Sequence, residues 1–135
     1  MREVLRDRVI VAALLAASVA YAAPSDDAAR RLAPAVGNVI VSTHPDGRKA
    51  RLWLRRGGSY AAQSRTGKRS GGTWKVKGEK LCLRQRSPLP LPIAYCKPIP
   101  LEAVGRPWRD TAVNGDQVSN EILPDRAAKF TSRTH

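Results

Sequence analysis

The chain is poor in the side chains that most chemistries need. It has two Cys, two His and one Met. Its aromatic residues are three Trp, three Tyr and one Phe, and its 11 carboxylates face 24 Lys and Arg. Each shortage excludes something. Metal centres that need several Cys or His cannot be built, and no H-x-x-x-H, C-x-x-C or EF-hand pattern occurs. No metal and no cofactor is therefore expected. No G-x-S-x-G nucleophile elbow is present. The paired glycines Gly57-Gly58 and Gly71-Gly72 lack the strand-to-helix spacing of a phosphate loop and suit turns and bulges instead. Glycosidic chemistry needs two carboxylates facing one cleft, whereas the acids here fall mostly in turns and tails. Base stacking needs several exposed aromatics; Trp53 and Tyr60 are the only plausible pair, and Tyr60 also suits a core. Sequence-specific nucleic-acid binding is thus disfavoured. Collagen-like, coiled-coil and multi-pass membrane classes do not fit the composition. The chain reads as non-enzymatic.

What remains is one small domain of a 135-residue chain with 42% hydrophobic residues and a formal charge of +13. The N-terminus is mildly basic through Arg2, Arg6 and Arg8. Val9–Ala20 is an apolar run, too short to cross a bilayer as a helix, which takes roughly 20 residues. It suits a secretory signal, with Ala20-Tyr21-Ala22 as a small-x-small cleavage site. The alternatives are an uncleaved anchor or a buried helix. Cleavage would remove three Arg and two acids, so the basic character belongs to the exported part. The expected layout is a signal peptide at 1–22, a flexible leader at 23–36, a β domain at 37–123 and a disordered basic tail at 124–135. The leader could hold a helical turn through Asp26–Leu32. A periplasmic or secreted location follows from the signal, and a monomer is expected.

In an exported chain, Cys82 and Cys96 are read as a disulfide. Closing this short loop would contribute about 3 kcal/mol on a chain-entropy argument. Two buried free thiols are the alternative.

From Gly37 onward, short apolar runs alternate with turn signals, the pattern of an antiparallel β domain. The predicted strands are Asn38–Ser42, Ala50–Arg55, Ser59–Gln63, Gly71–Lys77, Lys80–Arg84, Ile93–Cys96, Arg109–Val113 and Gln117–Leu123. His44-Pro-Asp-Gly47 suits a type I turn. Gly78-Glu79 suits a type II′ hairpin, and Asn114-Gly115 is the strongest hairpin signal. The fold class is all-β: a small antiparallel meander or partly open barrel with one disulfide, preceded by the signal helix. The expected core is Leu52, Leu54, Trp74, Val76, Leu81, Leu83 and Ile93, with Val39 and Val41 or Ile40.

Pro45-Asp-Gly47 with Leu52-Trp-Leu54, Gly58-Ser-Tyr60, and Gly72-Thr-Trp-Lys-Val-Lys-Gly-Glu-Lys-Leu-Cys82 with Tyr95-Cys96 form a composite pattern. On it, the chain resembles small exported bacterial β proteins of uncharacterised function, over roughly Gly37 to Pro98. The resemblance implies an extracytoplasmic, disulfide-clipped sheet. It brings no catalytic residues.

Two candidate sites remain. Strand alternation puts Arg51, Trp53 and Arg55 on one face, and Lys75 and Lys77 on the face opposite Trp74 and Val76. If these faces belong to one sheet, they form a cationic surface for polyanions such as anionic envelope polymers or lipid headgroups. The plainer alternative is that the charges only solvate the outer face. The second site is the loop Pro88, Leu89, Pro90, Leu91 and Pro92, whose prolines pre-organise it for an envelope protein, as in an exported inhibitor. His44 beside Asp46 could assist general base chemistry, but the turn explains both residues without it.

Overall fold

The computed structural model describes residues 26–102 and 104–125. A helix α1 (Asp26–Leu32) and a 3₁₀ turn (Ala33–Ala35) lead into eight strands. These are β1 (Val39–Thr43), β2 (Lys49–Leu54), β3 (Ser59–Gln63), β4 (Arg69–Lys77), β5 (Lys80–Ser87), β6 (Tyr95–Pro98), β7 (Trp108–Thr111) and β8 (Gln117–Leu123). All pair antiparallel in one sheet of order β6-β5-β4-β3-β2-β1-β8-β7, curled into a half-barrel. The all-β class expected from the turn spacing is what the structure has.

One turn design recurs between the strands. In His44–Arg48, Ser64–Lys68 and Ala112–Asp116, the first residue's N–H donates to the fifth residue's carbonyl. The fourth residue is Gly47, Gly67 or Gly115, whose N–H donates back to the first carbonyl. Each of these glycines sits at φ between 82° and 89°. That is a three-residue hairpin loop, a type I turn closed by a left-handed glycine. Arg55–Ser59 repeats both hydrogen bonds with Gly57 also at positive φ. Asn114-Gly115 therefore makes a hairpin through a longer loop than the two-residue type I′ form, because Asn114 keeps a negative φ. The Gly78-Glu79 hairpin is the tight one: Lys77 pairs with Lys80, and Gly78 has φ 55°.

Register fixes two faces. Ile40, Leu52 and Ala62 stand opposite one another across β1, β2 and β3, as do Trp74 and Leu83, and Leu83 and Tyr95. Paired residues share a face, so this row lines the concave side. Its buried centre is Ile40, Leu54 and Tyr60, closed at one end by Ala28, Leu32, Ala35, Ile99 and Val104. Leu52, Trp74, Val76, Leu81 and Leu83 pack partly buried against it. Gly72 permits this packing, since a Cβ there would lie 1.9 Å from the Arg84 carbonyl oxygen and 3.0 Å from the Tyr60 ring. Burial raises the Tyr60 hydroxyl above its ordinary pKa.

Several expectations need correction. The helical turn expected within the leader is α1, with the same bounds, but it and the 3₁₀ turn are packed in, with Ala28 and Ala35 fully buried. An Ala-rich stretch reads as weakly apolar, yet small side chains are what a helix needs to lie close on a sheet. Ile93 is not core: it is 79% exposed, because its strand starts later, at Tyr95. Val39 and Val41 are buried as well as Ile40, so the central strand is covered on both faces. The signal at 1–22 and most of the tail at 124–135 lie outside the described residues.

Candidate functional site

The cationic candidates come together on one side. Trp53 pairs with Val39 and Ala61, Arg51 with Val41 and Gln63, and Ser59 with Thr73. Following that row along β4 places Lys75 and Lys77 on the same convex face as Arg51 and Trp53. Lys75 stands opposite Cys82, and Lys77 opposite Lys80. Lys49, Arg84 and Arg109 have the same facing, by pairing with Thr43, Thr73 and Ser119. Glu121, opposite Val41, is the carboxylate among the strand residues of this face. Lys75, Lys77 and Arg55 are exposed, while Arg51 and Trp53 are half-buried. Arg55, just past β2, also accepts the Trp74 indole N–H on its carbonyl at 2.8 Å.

The disulfide Cys82–Cys96 is formed, across directly paired residues of β5 and the edge strand β6. It indicates an oxidising, extracytoplasmic environment. No described helix is long and apolar enough to cross a membrane. The proline loop leaves the end of β5 as an exposed connection. Pro88, Pro90 and Pro92 are exposed, as are Leu89 at 70% and Leu91 at 47%. Gln85 ties the loop down, donating its side-chain amide to the Leu89 carbonyl while its own carbonyl accepts the Leu91 N–H.

His44 is buried and meets a different acid from its neighbour in sequence. Its Nδ1 lies 2.9 Å from Asp116 Oδ2, across the adjacent β7–β8 turn. A carboxylate only accepts, so Nδ1 carries the proton. Hydrogen bonds from His44 and then Asn114 hold the Asp116 carboxyl below its ordinary range. Asp46 instead takes Arg65 at 2.8 Å. Beside His44, the Ser42 hydroxyl donates to Asn120 Oδ1. It is thus engaged with Asn120 and not with the imidazole.

Two further ion pairs were not legible in the sequence. Lys97 on β6 donates to Asp110 Oδ2 at 2.7 Å and to the Thr111 carbonyl, both on β7. These are the two edge strands, so a side-chain bridge spans the gap that backbone pairing leaves open. Arg31 of α1 is buried, donating to Glu79 and to the Leu101 carbonyl. It pins the helix to the β4–β5 turn. Both pairs join residues distant in sequence; only Lys97, a lone charge between Tyr95-Cys96 and Pro98-Ile99, carries a local hint. Among the described residues, no group of three or more His, Cys, Asp or Glu is placed to hold a metal.

Comparison with protein-family models, with curated proteins and with solved structures gives no match to this chain.

Proposed function

We propose that this is a non-enzymatic protein of the bacterial cell envelope, periplasmic or secreted, whose convex sheet face binds anionic polymers. The observation that carries the reading is the register. It sets Arg51, Lys75 and Lys77 on one side of one continuous sheet, with Lys49, Arg84 and Arg109 around them and Glu121 as the opposing carboxylate. Like charges spaced along rigid strands keep a standing positive potential, and a polyanion that neutralises it releases counterions. Trp53 offers an apolar ring within the charged field. The polyanions available outside the cytoplasm include lipopolysaccharide phosphates, anionic lipid headgroups and teichoic-type polymers.

The test is retention of the oxidised protein on immobilised heparin and lipopolysaccharide across a salt gradient. Elution well above physiological salt is expected from both. Reversing the charge at Arg51, Arg55, Lys75 and Lys77 should bring elution down to low salt and flatten the salt dependence. Unchanged retention of that variant would remove the surface from consideration.

A second reading has its own observation. Leu89, Leu91 and Ile93 are exposed in sequence beside the prolines, with Ile93 at 79%. Exposed apolar side chains on a stiff loop suit a protein partner. Such a contact would survive high-salt washing in a pulldown, whereas a polymer contact would not.

A further inference from the structure

The concave side of the half-barrel has no role in that proposal, yet it is shaped as a site. Eight strands curl around an interior just wide enough for side chains or for one small ligand. Here they enclose a cavity of about 220 Å³. An engineered apolar cavity of about 150 Å³ is already large enough to admit benzene. The inner walls are mostly apolar, with Ile40, Leu52, Leu83, Trp108 and Val118 among them; the Lys97–Asp110 ion pair also lies in them, and α1 closes the inner end with Leu32. Ser42, His44, Ala50 and Leu52 are shared with a wider outer mouth of about 660 Å³. Arg65, Lys68 and Arg69 line that mouth, and its described lining contains no carboxylate.

Two polar side chains stand in the inner wall, each more than nine-tenths buried: His44 and Asn120. Each spends one polar atom on the protein, His44 Nδ1 on Asp116 and Asn120 Oδ1 on Ser42. His44 Nε2 and the Asn120 amide NH₂ have no partner among the described residues.

We propose that this interior binds a single-chain anionic amphiphile. The alkyl chain lies along the apolar inner wall, and the anionic head sits in the mouth against Lys68 and Arg69. Burial of methylenes at about 0.8 kcal/mol each drives the chain inward. The head keeps to the mouth, where Lys68 and Arg69 supply the positive charge while Arg65 is engaged by Asp46. The mouth lies at the Arg69 end of β4, away from Lys75 and Lys77 towards its other end, although Arg69, opposite Gln63, shares their register face; the proposal stands whether or not the convex face binds polymers.

Titration calorimetry of the oxidised chain with ten-carbon probes below their micelle-forming concentrations tests it. The probes are decanoate, monodecyl phosphate, decanol and decyltrimethylammonium. Decanoate or the phosphate ester should bind saturably at least tenfold tighter than decanol, with the cationic probe weakest; which anion binds better distinguishes a free fatty acid from a phospholipid-like source. The double variant Lys68→Glu/Arg69→Glu should lose at least tenfold for the anionic probes while leaving decanol unchanged. Ala112→Trp, which adds bulk at the wall shared by cavity and mouth, should abolish all binding. Leu52→Trp serves the same purpose if that variant fails to fold. Saturable binding by none of the probes would overturn the proposal, as would decanol binding as tightly as decanoate. Loss of decanoate binding in Lys75→Glu/Lys77→Glu, with Lys68→Glu/Arg69→Glu unaffected, would move the site to the convex face and overturn it equally.

Discussion

The two faces of the sheet are built from the same strands and obey different rules. On the concave face, neighbours across strands are Ile40, Leu52, Leu54, Tyr60, Trp74 and Leu83, and the structure is sensitive to volume. On the convex face the neighbours are Arg51, Lys75, Lys77 and Arg84, and what they share is a sign of charge. Strand β1 breaks the contrast: Val39 and Val41 face outward yet are 1% and 2% exposed. Val41 stands directly opposite Arg51 and Val39 opposite Trp53, side chains long enough to shield their neighbours. The lesson is that the cationic face rests on an apolar floor at β1.

If the faces are separable, stability and polyanion binding should respond to different substitutions. The largest effects belong to the concave side. Leu54→Ala empties a fully buried site and should cost about 2–5 kcal/mol in denaturant unfolding, while the folded fraction keeps its retention on heparin. A cost below about 1 kcal/mol would mean that the concave packing is loose. Next comes the clip between β5 and the edge strand: replacing Cys82 and Cys96 together by Ala should cost about 3 kcal/mol. Chemical denaturation of the double variant against the oxidised parent measures this. Smaller again is Glu79→Gln, which leaves the buried Arg31 guanidinium facing a weaker acceptor. It should cost about 1–3 kcal/mol, and hydrogen exchange should show α1 opening first.

Acid sensitivity gives a smaller effect. The folded Asp116 carboxyl titrates below its ordinary range because His44 and then Asn114 donate to it. Its contribution to stability is therefore present above the ordinary carboxylate range and is lost as pH falls through the lower folded value. Melting temperatures of Asp116→Asn and the parent, followed from neutral to acid pH, should converge at the acid end. Parallel curves would mean that the His44–Asp116 contact contributes nothing. Smallest of all, Lys75→Ala should shift stability by no more than about 0.5 kcal/mol, with its effect confined to the salt at which the protein leaves heparin.

Particular residues show how far the sequence could be read. Ser59–Gln63 and Gln117–Leu123 were bounded correctly because turn glycines flank the first, and the Asn114-Gly115 turn and Pro124 flank the second. Ile93 falls outside its expected strand because an apolar residue after prolines looks like the start of a strand, while ladder pairing begins only where Tyr95 meets Leu83. The turns recur at four places, but their flanking strands differ enough that no repeat is visible in the residues themselves. In the sequence, His44 stands beside Asp46, its neighbour in the turn. The acid it meets is seventy-two positions away and adjacent only because β1 pairs with β8.

Local chemistry alone determined that the chain is a β meander, that Cys82 and Cys96 could be joined, and that its surface is cationic. Alternation, turn glycines and charge are properties of neighbours in sequence, and each acts over a few residues. The tertiary structure decided that β8 adds beside β1, that Arg51 and Lys75 share a face, and that α1 plugs one end. It also set Lys97 across from Asp110 and made a cavity of the concave side. These depend on sheet order, twist and closure, which arise from the simultaneous burial of segments far apart in the chain, and no local pattern encodes them.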